Sequence, residues 1–455
     1  MIYQTSMVGR DVEELDSGYG ESSRYAAHLD RGWALLDRGD VVAARTSVEH
    51  AQEVRPDDPD ASVLLGAIAL AEGDPAEALR CYERAAELDP EYLEPYVAAA
   101  QVCLFDLEDP ARALRFCEDA LELEHLSAFE ALDVGLLQAE CLLAQAGPTG
   151  DGVGDGAGDG APPQDLSPER MPALGQGEDF AVVVTTLELA ARGPTDADLN
   201  SRDAVVAEAA EALMLDIEGE RLDEEEQRDR VARAFQLVMR WARIKLDLGD
   251  VAAATEQLGK LTQWFPEEAD AWYLLGEARL RAGEVLPATE ASLRTLELDA
   301  RTPLPSWLPP VGRLQRRVLQ TLQRVEIPAI RVAIEADRPL AVLIQERPAP
   351  ELVAEGIDPR LPALALGTRL DPGAVDGGRP TALTLTGVAI YVANIARVCR
   401  DATQFEEELK LSIEEELAVF FADGGAPEED AETEEDPGAT GAEDKKPRRR
   451  RRRKS

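Results

Sequence analysis

The chain has 455 residues, room for two to four domains, and carries 47 basic against 89 acidic side chains. Nine of the basic residues lie in the last eleven, so residues 1–444 hold 38 basic side chains and a net charge of −51. A body this acidic repels nucleic acid and anionic membrane, while a composition rich in Ala, Leu, Glu and Arg favours helix.

Residues 1–23 are polar and acidic and read as a disordered lead-in, with no secretory leader. No later window approaches 18 uninterrupted apolar residues. The five cysteines, Cys81, Cys103, Cys117, Cys141 and Cys399, match no metal spacing. An odd, scattered set points to a reducing cytoplasm, with each thiol a small buried hydrophobe. Only six basic residues are Lys, a bias expected of a GC-rich bacterial coding sequence.

From Tyr25 the chain repeats itself. Gly32, Gly39, Ala44, Ala51 and Pro56 return 34 residues later as Gly66, Gly73, Ala78, Ala85 and Pro90. Ala113, Ala120 and Leu123 then follow Ala78, Ala85 and Leu88 at 35 residues. The period returns downstream with Ala242, Gly249, Ala254 and Pro266, continued by Trp272, Leu275, Gly276, Gly283 and Ala288. A unit of this size is a helix–turn–helix too small to bury its own apolar face, so stacked copies bury it for one another. Small residues mark close helix approach, and the Pro ends the second helix. The pattern resembles the tetratricopeptide repeat, which implies an α-solenoid that binds proteins.

The predicted organisation follows. Residues 24–146 form a first block of about three repeats, with Ser127–Gln145 as a capping helix over its open end. Residues 147–165 are a Gly/Asp/Pro linker that hinges the blocks. Residues 166–301 are helical over Phe180–Ala191, Asp203–Glu218 and Asp223–Leu248, and hold a second block with clear repeats at about 235–300. A Pro-rich boundary spans 302–310.

Residues 311–423 read as a small α+β domain. It has a helix at Val311–Val325, β runs at Ala329–Glu335, Leu340–Glu346 and Thr381–Val392, a turn at Asp376-Gly377-Gly378, a Gly-ended loop at Leu366-Gly367, and a final helix at Phe405–Phe421. Residues 424–444 are acidic and disordered, and 445–455 are a basic tail.

That α+β order, with Tyr391 ending a strand before an acidic helix start, resembles minimal zincin-like metallopeptidases. In that family the last helix carries His-Glu-x-x-His, so that two imidazoles one turn apart bind zinc and the Glu serves as base. Here the aligned positions hold Glu415, Glu416 and Val419. The only histidines, His28, His50 and His125, lie in the first block. The resemblance therefore implies a pseudo-enzyme domain without metal or other cofactor. Without it, Leu409, Ile413, Leu417 and Phe420 are simply a core stripe. No phosphate-binding loop, nucleophile elbow or Cys-x-x-Cys is present.

The repeat resemblance places the concave face on the first helix of each unit. In block one this selects Leu29, Trp33, Leu36, Val63, Leu70, Val97, Gln101 and Leu104, a mainly apolar trough suited to a helix or an extended peptide. The Lys, Arg and Asn clamp that holds acidic peptide ends is absent there. Block two selects Met239, Arg243, Tyr273, Glu277, Leu280 and Arg281, a more polar groove with two positive groups. In the tail, Lys445, Lys446, Arg448, Arg449, Arg450, Arg451, Arg452, Arg453 and Lys454 could touch RNA or DNA phosphates without sequence preference, or fold back on the ten acidic residues of 423–444. The expected function is a non-enzymatic cytoplasmic adaptor for protein partners. Its rivals are a metallopeptidase fed by the repeats and a nucleic-acid- or ribosome-associated protein acting through the tail.

Overall fold

The computed structural model describes residues 20–146, 177–216, 219–324, 340–368 and 384–422. The predicted linker at 147–165, the β run Ala329–Glu335, the turn at Asp376-Gly377-Gly378 and the segments 424–444 and 445–455 lie outside them. The chain divides into two compact units, Met1–Thr302 with Val353–Gly356, and Pro303–Leu352 with Ile357–Ser455.

In the first unit the helices pair as the period requires. α1 (Glu21–Asp37) packs on α2 (Val41–Val54), α3 (Pro59–Ala71) on α4 (Pro75–Leu88), and α5 (Leu93–Gln101) on α6 (Pro110–Leu121). α1 begins inside the stretch read as lead-in. Ala44, Ala51, Ala78, Ala85, Ala113 and Ala120 are fully buried, because the helix pairs leave room for a methyl and little more. Two positions are tighter still. A Cβ on Gly66 would sit 2.5 Å from Tyr82 Cε1, and one on Gly32 2.6 Å from Leu64 Cδ2.

The turn inside each pair repeats as strictly as the packing. Gly39, Gly73, Gly249 and Gly283 all adopt φ between 77° and 80°, the left-handed conformation that ends a helix. Gly39 N–H donates to Leu36 O, and Asp40 N–H to Leu35 O; the same two bonds form at the other three turns. Asp40, Asp74 and Asp250 then cap the next helix, accepting from the N–H of Ala43, Glu77 and Ala253.

The third repeat must absorb its 35th residue, and it does so inside the helix. Val102–Asp106 continues α5 as a π-helical turn, with Leu107 N–H donating to Val102 O at 3.0 Å. Asp109 N–H reaches Cys103 O, six residues back where the other turns reach five. Asp109 still caps α6 through Arg112 N–H at 3.0 Å. The left-handed position falls to Glu108, a non-glycine at φ 51°.

Two expectations are corrected at α7 (Ala128–Ala146). It is not a terminal cap, and the two blocks of the first unit are not hinged. Val134, Leu137 and Cys141 join the core of the preceding repeats. Phe129, Leu132, Leu136 and Leu142 share a second core with α8 (Glu178–Arg192) and α11 (Glu224–Asp247). A helix apolar on both faces needs a neighbour on each, and α7 and α8 accordingly share one core within one compact unit. α8 also packs on α10 (Ala204–Met214), after the short α9 (Asp196–Leu199). α10 is shorter than expected because Leu215 pairs with Arg221 in an antiparallel bridge that leads the chain back. Asp223 and Glu226 form a reciprocal capping box at the start of α11. α11 with α12 (Val251–Trp264), and α13 (Ala269–Arg281) with α14 (Val285–Asp299), complete the unit.

In the second unit α15 (Val311–Arg324) is followed by β1 (Ala341–Gln345), β2 (Ala363–Thr368), β3 (Thr384–Tyr391), α16 (Val392–Ala396) and α17 (Ala402–Ala422). The sheet order is β1-β3-β2, with β1 parallel and β2 antiparallel to β3. β2 corrects the loop expected at Leu366-Gly367. Its Ala-Leu alternation lacks β-branched residues, so pairing with β3 overrides propensity. Of the α17 stripe, Leu409, Ile413 and Leu417 are fully buried, as is Phe405, while Phe420 is half-buried against the same core.

Replacing Glu108 by Gly removes the cost of a side chain in left-handed backbone, about 1 kcal/mol. The urea midpoint of the first unit should rise, and an unchanged or lower midpoint would contradict the strain.

Candidate partner-binding surface

The first helices of the repeats present one stripe each, at i, i+4 and i+7 or their subset. On α1 the stripe is Leu29, Trp33 and Leu36; on α3, Val63 and Leu70; on α5 and its π-turn, Val97, Gln101 and Leu104. Leu29 and Val63 are core residues, 8% and 3% exposed, and cannot meet a partner. Trp33, Leu36, Leu70, Val97 and Leu104 are half-buried, and Gln101 is exposed. The stripe thus offers apolar edges held firmly from beneath. Sequence reading missed Phe105, which the π-turn leaves 65% exposed beside Leu104. Its signal was available: the repeat that contains it is one residue too long.

The corresponding stripe of α7 is covered. Leu132, Leu136 and Ala139 are buried together with Val183 and Leu187 of α8 and Trp241 of α11. Arg240 of α11 closes this seam. Its Nε and Nη2 donate to Glu140 Oε1 and Oε2 at 2.5 and 2.6 Å, and its Nη1 to Asp133 Oδ1 at 2.7 Å. Burial works against the guanidinium charge, but the Glu140 and Asp133 carboxylates outweigh it and hold the Arg240 pKa above its usual value.

In the second block, Met239 and Tyr273 are half-buried and Leu280 is 60% exposed. The two positive groups expected there are not free. Arg243 and Arg281 both pair with Glu277 at 2.7 Å, and Arg281 also donates to Leu246 O at 2.8 Å. This face is a satisfied ion network, with little charge left for a ligand.

The zincin-aligned residues part company. Glu415 and Val419 are exposed. Glu416 turns inward and its Oε1 accepts the N–H of Ala365 at 2.9 Å, capping a backbone donor of the β2 edge. Burial raises the Glu416 pKa, opposed by that hydrogen bond. Among the described residues no three His, Cys, Asp or Glu side chains are grouped to hold a metal ion. Three strands and their helices do not establish a zincin-like layout. Among the described residues no helix is long and apolar enough to cross a membrane.

Against known proteins, residues 29–92 and 239–298 match the family model described as tetratricopeptide repeat. Those two stretches are tetratricopeptide repeats, and the chain is mainly helical. No curated protein matches it. Among solved structures it is similar to PilF of Pseudomonas aeruginosa, at 14% identity and a TM-score of 0.37, over 62% of this chain and 94% of that one. PilW, described as a widely conserved type IV pilus biogenesis factor, matches at 14% and 0.36 over 60% and 92%. YrrB, described as a TPR protein with an unusual peptide-binding site, matches at 16% and 0.30 over 55% and 91%.

Two predictions follow from these contacts. Arg240→Ala strands two half-buried carboxylates and should cost about 2 kcal/mol, with faster hydrogen exchange in α7 and α11; unchanged exchange there would show the seam held by packing alone. Because the folded state raises the Glu416 pKa, it binds the proton more tightly than the unfolded chain does. That stabilisation is complete below the ordinary carboxylate pKa and is lost as pH rises through the raised value. Glu416→Gln keeps an acceptor for Ala365 and removes the titration. Exchange protection of β2 should therefore fall as pH rises above the ordinary glutamate range in the parent chain but stay flatter in the variant.

Proposed function

We propose that this protein is a non-enzymatic cytoplasmic scaffold that captures apolar helical or extended segments of partner proteins on α1, α3 and α5. The observation that carries the reading is Phe105, a large aromatic 65% exposed on the π-turn, next in sequence to Leu104, the last of the half-buried apolar side chains on α5. Exposed aromatics rooted on a rigid, well-packed base are what partner surfaces use as anchors. The tetratricopeptide repeats of residues 29–92 and 239–298 support the same reading. The second unit then serves as a further docking surface in the manner of an inactive zincin-like domain, and the basic tail adds weak, salt-sensitive contact with nucleic acid.

Affinity purification of the tagged chain, with and without nuclease, should return a defined protein set that survives nuclease. Leu70→Glu with Phe105→Ala should lose that set while the circular dichroism of the helices is kept. Partners that stay bound to the double variant would move the site elsewhere. A set that collapses with nuclease would move the function to the tail.

A further inference from the structure

The chain has three histidines, and two of them meet. His28 of α1 and His50 of α2 lie with ring centroids 5.4 Å apart and ring planes tilted by 55°. The repeat does not ask for this pair. The equivalent positions hold Ser62 and Arg84 in the second repeat, and Trp272 and Arg294 in the last. Ser62 is buried, whereas His28 is half-buried and His50 exposed, so a small ion can reach both rings from solvent. The helices beneath them are fixed. α1 and α2 share a core through Leu29, Ala44 and Val48, which holds the two rings side by side without help from either.

We infer that His28 and His50 form a chelating site for a divalent metal ion of the nickel, copper and zinc class, which clamps α1 to α2 through one nitrogen of each ring. Two imidazoles on one tetrahedral ion, each nitrogen about 2 Å from it, set their ring centres about 5 Å apart. The separation in this hairpin is close to that. Imidazole suits all three ions, whereas calcium and magnesium demand oxygen. Among the described residues no third His, Cys, Asp or Glu is grouped with the pair to hold a metal. Water therefore fills the remaining positions, and the ion stays exchangeable. The ligand must be neutral imidazole, and the surroundings favour that form. Burial, His50 and Arg31 hold the His28 pKa below its ordinary value, with Glu53 acting the other way. His28 is thus ready to ligate at a pH where an ordinary histidine has begun to protonate. Of the two charged neighbours, Arg31 opposes an incoming cation and Glu53 attracts it. The site is separate from the partner-binding surface and does not rest on the scaffold reading.

The probe is Ni²⁺ alone, titrated into the full chain by calorimetry near neutral pH, with hydrogen exchange followed in α1 and α2. Saturable binding is expected, and exchange in both helices should slow in the bound state, because an ion that binds only the folded hairpin stabilises it. His28→Gln and His50→Gln should each weaken binding about tenfold or more, since a single imidazole is no chelate. His125→Gln removes the exposed third histidine and should leave binding unchanged. Affinity in the parent chain should fall as pH drops below about 6.5 and protons displace the ion. Circular dichroism checks that each variant keeps its helices. His50 is exposed, so its variant tests the site even where His28→Gln loosens the hairpin. Absence of saturable binding overturns the inference. So does binding that survives both substitutions, that falls as much in His125→Gln, or that leaves exchange in α1 and α2 unslowed.

Discussion

The first unit depends on how closely two helices of a pair can approach. Where Ala44, Ala78 and Ala113 sit there is space for a methyl, and beneath Gly66 the ring of Tyr82 has taken even that. Close approach brings a wide area of each helix into contact and fixes the angle at which the next pair must stack. The pitch of the solenoid is thus set by the smallest side chains, and the larger ones are left to make either core or surface.

What the larger ones do depends on whether another helix follows. α7 is the instructive case, because its stripe is wholly a core shared with α8 and α11, where Trp33 and Leu36 on α1 are only half-buried. One repeat position can therefore be half-exposed on one helix of a solenoid and an internal seam on another. Charge behaves in the same way. The carboxylates of Asp133 and Glu140 are structural because Arg240 reaches them, while Glu277 does similar service between Arg243 and Arg281.

Sequence reading succeeded where backbone geometry dictates the residue. Gly39 and Gly73 are legible because left-handed backbone selects glycine, and Ala44, Ala51, Ala78 and Ala85 because close approach selects alanine. It failed where the same side chain serves either of two environments. Leu29 and Val63 lie on the expected stripe but at its inner edge, where no periodicity separates core from groove. α7 was read as a cap although its all-round apolar sequence carries the mark of two-sided burial. β2 was hidden because its alanines and leucines are helix formers that only the partner strand holds extended. Phe105 could have been found from an irregular count, since an extra residue in a strict period must surface somewhere. The zincin-like reading rested on the order of short elements and one acidic helix, and Glu416 keeps its place there by capping β2.

The insertion between α7 and α8 has a consequence for the continuity of the chain itself. Because the two helices share a core across residues 147–176, the peptide bonds of that segment are not what keeps the halves of the first unit together. A nick there would leave two fragments bound non-covalently through the α7 seam, with Arg240 as its registration pin. The same segment is then the natural place to graft a foreign domain, or to split the protein into complementing pieces whose reunion reports that both were made.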